Sequence, residues 1–380
     1  MKIKPSNSNK KKLGIFNRLV LGLSIFLSLA LLISYLAPVT DPRRYWVIAF
    51  FGLAYPYLLL VNLVVLLYWL LLRNRYLLLP AITIIIGWPV LRNNIGFHFI
   101  PQVAASAYTP QQQFRIMTYN VHNFKLYGAN NNDATTRHEI LELIKEQHPD
   151  IIGFQEYYTH HRGRYNMTDS LKSIMHSSYY YFEPFSFNRP TDAMGLAIFS
   201  KYPIINQGSI HLSDDKGSEN QCLFVDLKKN KQIIRIYSIH LQSIRLDPVD
   251  YEYLNKVSKQ GKTSVNSSKR IGSKLKAAFI QRSEQVFKIK SHAAQCPYPY
   301  IFSGDFNDTP TSFAVNQMAK NMKNAFREKG TGLGRTYNGS FPNYQIDYIM
   351  TSPQLDVASY WVIPKKLSDH YPVCSDIVIR

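Results

Sequence analysis

Tyr300-Ile301-Phe302-Ser303-Gly304-Asp305-Phe306-Asn307 is the stretch on which the reading of this chain turns. A short apolar run, of the kind that forms a buried strand, leads into a glycine, an acid and an amide. The same arrangement recurs through residues 114–380. Phe114, Ile116, Thr118 and Asn120 alternate with Arg115, Met117 and Tyr119, the period of a strand that ends near Asn120. A polar insertion at 127–133 reads as loop. Helical spacing follows through Ile140, Leu143 and Ile144 and stops before Pro149. Ile151-Ile152-Gly153-Phe154 is a buried strand with Gln155-Glu156 at its exit. Further strands are expected over 195–200, 232–241, 345–350 and 373–379, and a helix over 274–294. Ile234, Ile236, Ser238 and His240 share one strand face, and Asp347 lies within the strand 345–350. No internal repeat is visible. Strands alternate with few helices, so the expected class is α+β with sheets packed face to face.

Six polar segments follow one another: Thr118-Tyr119-Asn120, Gln155-Glu156, His240-Leu241, Gly304-Asp305-Phe306-Asn307, Ile346-Asp347-Tyr348 and Ser368-Asp369-His370. Any one alone means little, since a single strand histidine is usually a satisfied core or surface residue. Together they describe a metal-assisted site for breaking phosphate esters. In this order they resemble the endonuclease/exonuclease/phosphatase superfamily, which includes deoxyribonucleases, abasic-site endonucleases, sphingomyelinases and inositol-polyphosphate phosphatases. The likeness runs over residues 114–380. It implies a four-layer α/β sandwich, two central mixed sheets flanked by helices, with the site at the edge of the sheets. It also implies a divalent metal, normally Mg²⁺, with Mn²⁺ as the alternative. By resemblance His370 is the general base and Asp347 its orienting partner. Asp305 and Asn307 bind the nucleophilic water or metal and the phosphate oxygens, and His240 donates to phosphate or leaving group.

The chemistry asks for the same residue types. A phosphodiester is anionic and repels nucleophiles, and a hard cation with oxygen ligands neutralises that charge. Glu156 is the best ligand candidate, the Asn120 amide oxygen can complete the shell, and Asp369 is a water-mediated ligand. Asn120 taken alone is equally a strand-end turn residue. Arg282, on the 274–294 helix, either points at a substrate phosphate or is an ordinary helix-surface arginine. Two positions depart from the family pattern. His122 stands where abasic-site endonucleases carry aspartate, which turns the reading away from that repair activity. Gln345 stands where many members carry arginine.

The first hundred residues are of another kind. Apolar runs cover 19–36, 46–72 and 76–91, the last interrupted by Pro80 and Pro89. About 20 apolar residues cross a bilayer core. A cleaved signal peptide is the rival reading of the first run, but Ala37-Pro38 at its exit offers no small-x-small site. The expected organisation is a basic cytoplasmic tail (1–18), a transmembrane region of two to three helices (19–95), a linker (96–113) and the catalytic domain (114–380). Basic residues stay inside. The lysine-rich start and Arg73 and Arg75 therefore read as cytoplasmic, and three spans leave the catalytic domain outside.

The formal charge of +19 is shared. Eleven basic residues and one acid precede Gln113, and 33 basic and 24 acidic residues follow. The densest basic stretch, 256–276, reads as a solvated mobile loop with affinity for polyanions, either nucleic acid or an anionic membrane surface. Cys222, Cys296 and Cys374 have no metal-type spacing. The expectation is a multi-pass membrane protein whose catalytic domain hydrolyses a phosphate ester of nucleic acid or phospholipid. Its partners are that substrate and the lipid bilayer, with no obligate protein partner. The alternative is a non-catalytic membrane scaffold or sensor that keeps the fold. A transporter module fits less well, because the apolar region lacks an intramembrane ionisable pair.

Overall fold

The computed structural model describes residues 13–98, 109, 112–125, 133–160, 162–163, 165–189, 192–213, 218–339 and 344–380. Its first elements are the helices α1 (Ile15–Ser34), α2 (Pro42–Leu53), α3 (Tyr55–Leu71), α4 (Leu78–Ile86) and α5 (Trp88–Asn94), then strand β1 (Gly96–Phe97). The remainder runs β2 (Gln113–Asn120), α6 (Asp133–Gln147), β3 (Ile151–His160), α7 (Met167–Met175), β4 (Tyr179–Arg189), β5 (Asp192–Ser200), β6 (Ile204–His211), β7 (Gln221–Lys229) and β8 (Gln232–His240). It continues with α8 (Pro248–Gln260), α9 (Val265–Ala294), β9 (Tyr300–Asp305), α10 (Phe313–Ala319), β10 (Lys323–Asn324), α11 (Ala325–Lys329), β11 (Thr331–Gly332), β12 (Asp347–Thr351), β13 (Leu355–Val362) and β14 (Val373–Ile379).

Two six-stranded sheets lie face to face, in the orders β13-β14-β2-β3-β5-β4 and β10-β12-β9-β8-β7-β6. Each is antiparallel except for one central parallel pair, β2 with β3 and β8 with β9. Parallel neighbours need a crossover, which α6 supplies in one sheet and α8 and α9 in the other. Strand alternation sorts the side chains. Phe114, Ile116, Ile151, Leu196 and Ile198 meet Val225, Ile234, Ile236, Ile301 and Ile349 between the sheets. The opposite faces pack outward, Met117, Tyr119 and Phe154 with α6 and α7, and Tyr237, Ile239 and Phe302 with α9 and α10. The result is the expected order of layers, helix, sheet, sheet, helix. Topologically the two halves are alike although no repeat is legible, because only the pattern of burial is shared.

The same inter-sheet face turns polar toward one end. Past the aliphatic core come Thr118, Gln155 and Ser238, with the Gln155 amide donating to Ser238 Oγ at 3.0 Å. Beyond them lie Asn120, His240 and Asp305, buried at 1%, 2% and 1% exposure.

The N-terminal region corrects the sequence reading at three places. The apolar run 46–72 is two helices, α2 and α3, bent by 49° at Ala54, with Pro56 in the first turn of α3. The run 76–91 is broken in the same way by 61° at Gly87, with Pro89 in the first turn of α5. A proline's missing N–H is tolerated in a first turn but not in mid-helix, so each proline starts a new helix instead of continuing the old one. Among the described residues, α1 is the one helix by itself long and apolar enough to cross a membrane, or up to three spans are present if each bent pair is one. Third, Gly96 and Phe97, assigned to the linker, pair with Gly332 and Thr331. The rest of that linker (99–108 and 110–111) and most of the expected loop at 127–133 lie outside the described residues.

The turned-aside helices dock on the catalytic domain. Asp41, the N-cap of α2, accepts from Ser283 Oγ on α9 at 2.9 Å, and Phe50 meets Phe279 edge-on with ring centres 5.3 Å apart. On α5, Asn94 donates to Thr311 Oγ1 at 3.0 Å. Helices α1, α3 and α4 pack with one another, and their polarity is reversed relative to a water-soluble bundle. Ser24, Ser28, Asn62 and Thr83 are buried, whereas Leu19, Phe26, Leu60, Leu67 and Ile85 are exposed. The Trp69 indole donates to Ser24 Oγ at 3.0 Å and Ser28 to Asn62 at 3.3 Å. The basic stretch 256–276 is also corrected. Apart from the residues around Gly261 it is helix, the end of α8 and the start of α9. The cysteines are free thiols, Cys222 and Cys374 within core strands.

Candidate active site

Register brings the polar ends together. Asn120 is the partner of Gln155 across the parallel pair β2–β3, His240 of Asp305 across β8–β9, and Asp305 of Asp347 across β9–β12. Both parallel pairs therefore point their carboxyl ends at one place, and the two sheets contribute equally.

Backbone conformation aims the side chains. Glu156 has φ +51° and stands where β3 slips register against β5, a bulge that turns its carboxylate out of the strand's alternation. Gly304 has φ +142°, and a Cβ there would lie 2.1 Å from the Ile239 carbonyl oxygen, so only glycine lets β9 approach β8 this closely. After Asn120 the chain turns sharply, with His122, Asn123 and Phe124 all at positive φ. Non-glycine residues rarely adopt this conformation, and such strain concentrates at functional sites. The turn carries His122 back over the strand ends. Ser368 holds the last segment in place, donating to the Asn120 carbonyl at 2.8 Å while accepting from His370 N–H at 3.2 Å.

His370 lies against Asp347, its Nδ1 3.0 Å from Oδ2. A carboxylate only accepts, so Nδ1 carries the hydrogen and Nε2 faces Asp305 Oδ2 at 3.6 Å. From the other side His240 Nε2 is 3.8 Å from the same oxygen, and its Nδ1 has no hydrogen-bond partner among the described residues. Asn307 N–H donates to Asp305 Oδ1 at 2.7 Å, and its amide to the Leu241 carbonyl at 3.0 Å. Burial raises the Asp305 pKa against the pull of the His370 charge. Burial also opposes the His370 imidazolium, but the Asp347 and Asp305 carboxylates favour it and its pKa is raised.

On the facing side, Asn120 donates from one amide nitrogen to Glu156 Oε1 and Asp305 Oδ2, both at 3.1 Å, and its oxygen accepts from His122 N–H at 3.2 Å. His122 Nδ1 lies 3.4 Å from Glu156 and 3.8 Å from Asp369. The hydrogen bond to Glu156 raises the His122 pKa. For Glu156, burial raises the pKa, but His122, His240 and Asn120 outweigh it and hold the carboxyl at about 2. Arg282 is not a helix-surface residue. At 1% exposure it is wholly buried, bound to Asp308 at 2.7 Å and to the Gln242 carbonyl at 2.9 Å, while Nη2 has no partner among the described residues.

These groups line one cavity of about 400 Å³, among them Glu156, His240, Asp305, Asn307, Asp369 and His370. Sequence profiles identify what it belongs to. The profile described as the endonuclease/exonuclease/phosphatase family matches residues 117–370, well over half of the chain. The chain belongs to the endonuclease/exonuclease/phosphatase family. It is accordingly a hydrolase acting on phosphate esters. A domain of unknown function matches residues 17–94, the helices before the catalytic domain. Among curated proteins none matches this chain in sequence. Solved structures share the fold. An endonuclease/exonuclease/phosphatase from Beutenbergia cavernae is 18% identical with a TM-score of 0.51, covering 70% of this chain and 72% of that one. Another, from Bacteroides vulgatus, is 18% identical with a TM-score of 0.50, covering 70% and 99%.

The donors suit the divalent metal ions that this family uses. Asp305, Asp347 and His370 offer ligand atoms within 4.8 Å of one another. Glu156 and Asp369 add carboxylates beside them, and Arg282 neutralises only Asp308. An anionic phosphate meets repulsion on such a floor unless a cation lies between. Oxygen donors select a hard ion. Asn120 fits less directly than its sequence suggested, because its nitrogen faces both carboxylates and the amide must turn to offer oxygen.

Every candidate from the sequence reaches this region, and three further groups join it. His122 bridges two carboxylates, Asp308 is the counter-ion of Arg282, and Ser368 staples two loops. His122 was visible as a departure from the family pattern. Asp308 carried no signal, since its partner lies one helix away.

Proposed function

We propose that this chain is a membrane-anchored, divalent-metal-dependent phosphoesterase working by an Asp–His pair. The convergence of Glu156, His240, Asp305, Asp347 and His370 from both sheets on one cavity carries the reading. Glu156, Asp369 and, once turned, Asn120 hold the cation, with Mg²⁺ as the first choice. Bound there, it screens the phosphate charge and lowers the pKa of bound water. Asp347 fixes the His370 tautomer, so that the imidazole in its neutral form takes a proton from the attacking water at Nε2. Asp305 and Asn307 position that water and the phosphate oxygens. His240 donates to the phosphate or the leaving oxygen, and Arg282, buried at the cavity lining, would turn its unpaired Nη2 toward a phosphate oxygen.

The reversed polarity of α1, α3 and α4 supports burial in lipid, where interhelical hydrogen bonds such as Ser28–Asn62 serve as internal partners. At one end of this bundle Tyr68 of α3 donates to Asn17 of α1 at 2.6 Å. At the other, Tyr35 meets Tyr55 and donates to the Thr83 carbonyl at 3.1 Å. The start of α1 and Arg73 and Arg75 therefore share the end away from the catalytic domain. With those basic residues cytoplasmic, the catalytic domain lies outside the membrane.

The test uses the full chain with a chromogenic diester, DNA, RNA and phospholipids under Mg²⁺ and Mn²⁺. Hydrolysis is expected to stop on chelation, to return with added metal, and to fall at least about 10³-fold in His370→Ala. A wild-type protein that turns over nothing on this panel would refute the reading and leave a scaffold.

A further inference from the structure

The catalytic cavity does not end at its polar floor. Its outer wall is made of Leu53, Leu246, Leu275, Phe279, Tyr344 and Ile346. Leu53 is the last residue of α2, so the N-terminal region supplies part of the active-site wall. Four of these wall residues, Leu53, Leu246, Leu275 and Ile346, are aliphatic and give a nucleobase no hydrogen bond and no ring to stack on, whereas Phe279 and Tyr344 present rings.

A second cavity, also of about 400 Å³, begins on the other side of Tyr344, which lines both. The Tyr344 hydroxyl donates to the Leu53 carbonyl at 3.1 Å, which fixes the side chain that the two cavities share. Leu59, Leu60 and Leu63 of α3 form one wall and Leu91 and Ile95 another, and Pro310 and Leu333 close it from the catalytic domain. Leu60 and Leu63 remain 59% and 44% exposed, and Leu333 72%. The slot is thus open along the outer face of α3, the face that also presents Val64 and Leu67.

We propose that the substrate is a lipid phosphoester, its phosphate on the His240–Asp305–His370 floor and an acyl chain in the slot beside α3. The proposal rests on the phosphoesterase reading and adds the class of substrate. Tyr344, on the wall of both cavities, sets a charged floor beside an apolar channel, the two chemistries of an amphiphile. A slot opening sideways on a lipid-facing helix admits a chain without passage through water. Each buried methylene strengthens binding about four-fold, so a few decide specificity. A polyanion such as DNA gains nothing from the slot.

The experiment places the full chain in phosphatidylcholine vesicles. Hydrolysis of dioleoyl and dibutyryl forms of phosphatidylglycerol and phosphatidic acid is measured beside bis(p-nitrophenyl) phosphate and a DNA oligonucleotide. The long-chain lipid is expected to exceed its short-chain form in kcat/KM by about ten-fold or more. Leu63→Trp, which fills the slot, is expected to reduce that ratio about ten-fold, and Leu60→Trp, at a more exposed position, reduces it in the same direction. Turnover of the nitrophenyl diester or DNA with a long-to-short ratio near one overturns the lipid assignment. So does a ratio that neither variant changes. Absence of turnover on every substrate overturns instead the phosphoesterase reading beneath it.

Discussion

Single residues at this site are held in conformations or charge states that only their neighbours sustain. Gly304 is the clearest backbone case. At φ +142° with the Ile239 carbonyl in the way, Gly304→Ala must push β9 off β8. Loss of roughly 2 kcal/mol or more is expected, seen as a lowered thermal midpoint. Arg282 is the clearest charge case. Arg282→Ala strands Asp308, whose pKa burial already raises, and about 3–5 kcal/mol of stability is expected to go with it. Chemical denaturation measures the loss. If the variant unfolds like wild type, Asp308 has found another partner and the pairing described above is wrong. His240 and His370 could be suspected from sequence, but Arg282 could not be placed. A helix period does not say which layer covers a given face.

At the level of elements, the junction of α8 and α9 is set by a buried acid. Asp250 Oδ2 accepts from Lys274 at 2.7 Å and Oδ1 from Arg270 at 2.7 Å. The hydrogen bond from Lys274 outweighs burial and lowers the Asp250 pKa to about 2. A folded-state pKa below the unfolded value gives stability that is present above the unfolded value and lost as pH falls through the folded one. The contribution is therefore intact above about pH 4 and gone near pH 2. Asp250→Asn is expected to flatten the acid limb of the stability curve in that window, followed by circular dichroism. This clamp also explains why 256–276 reads as a loop but folds as helix. High charge and serine content suggest solvation, and the acid that organises them comes from the preceding segment. The broken apolar runs are the converse case. Apolar composition alone lets the run 46–72 continue as one helix, but Pro56 starts α3 afresh, as Pro89 starts α5, because a proline breaks the helix ladder.

For the molecule as a whole, the helices before the catalytic domain form part of its active-site wall. Asp41, Phe50 and Leu53 bring α2 onto α9 and into the active-site wall. The reversed polarity of the α1–α3–α4 bundle predicts that the protein stays with membranes through alkaline carbonate washing and leaves them only in detergent. Recovery in the carbonate supernatant would contradict an integral anchor. Protease added to intact cells is expected to remove the catalytic domain, as the shared end of Asn17 and Arg73 requires. Cleavage only after lysis would reverse the orientation.

Family, chemistry and the order of the polar segments were legible from residues alone, because strand period and exit residues are local. Glu156, His240, Asp305, Asp347 and His370 stand out through the order of their segments, which resembles the family's, and not through any one residue's type. Their meeting is not local. It depends on two registers, β8 with β9 and β9 with β12, and on the packing of two sheets whose aliphatic faces carry no instruction about their ends. Likewise, hydrophobicity marks the first hundred residues as apolar without saying which helices turn away. Only tertiary structure brings α2 against α9 and joins the catalytic floor to the slot beside α3, since a contact between residues far apart in the chain is set by shape and burial, not by composition.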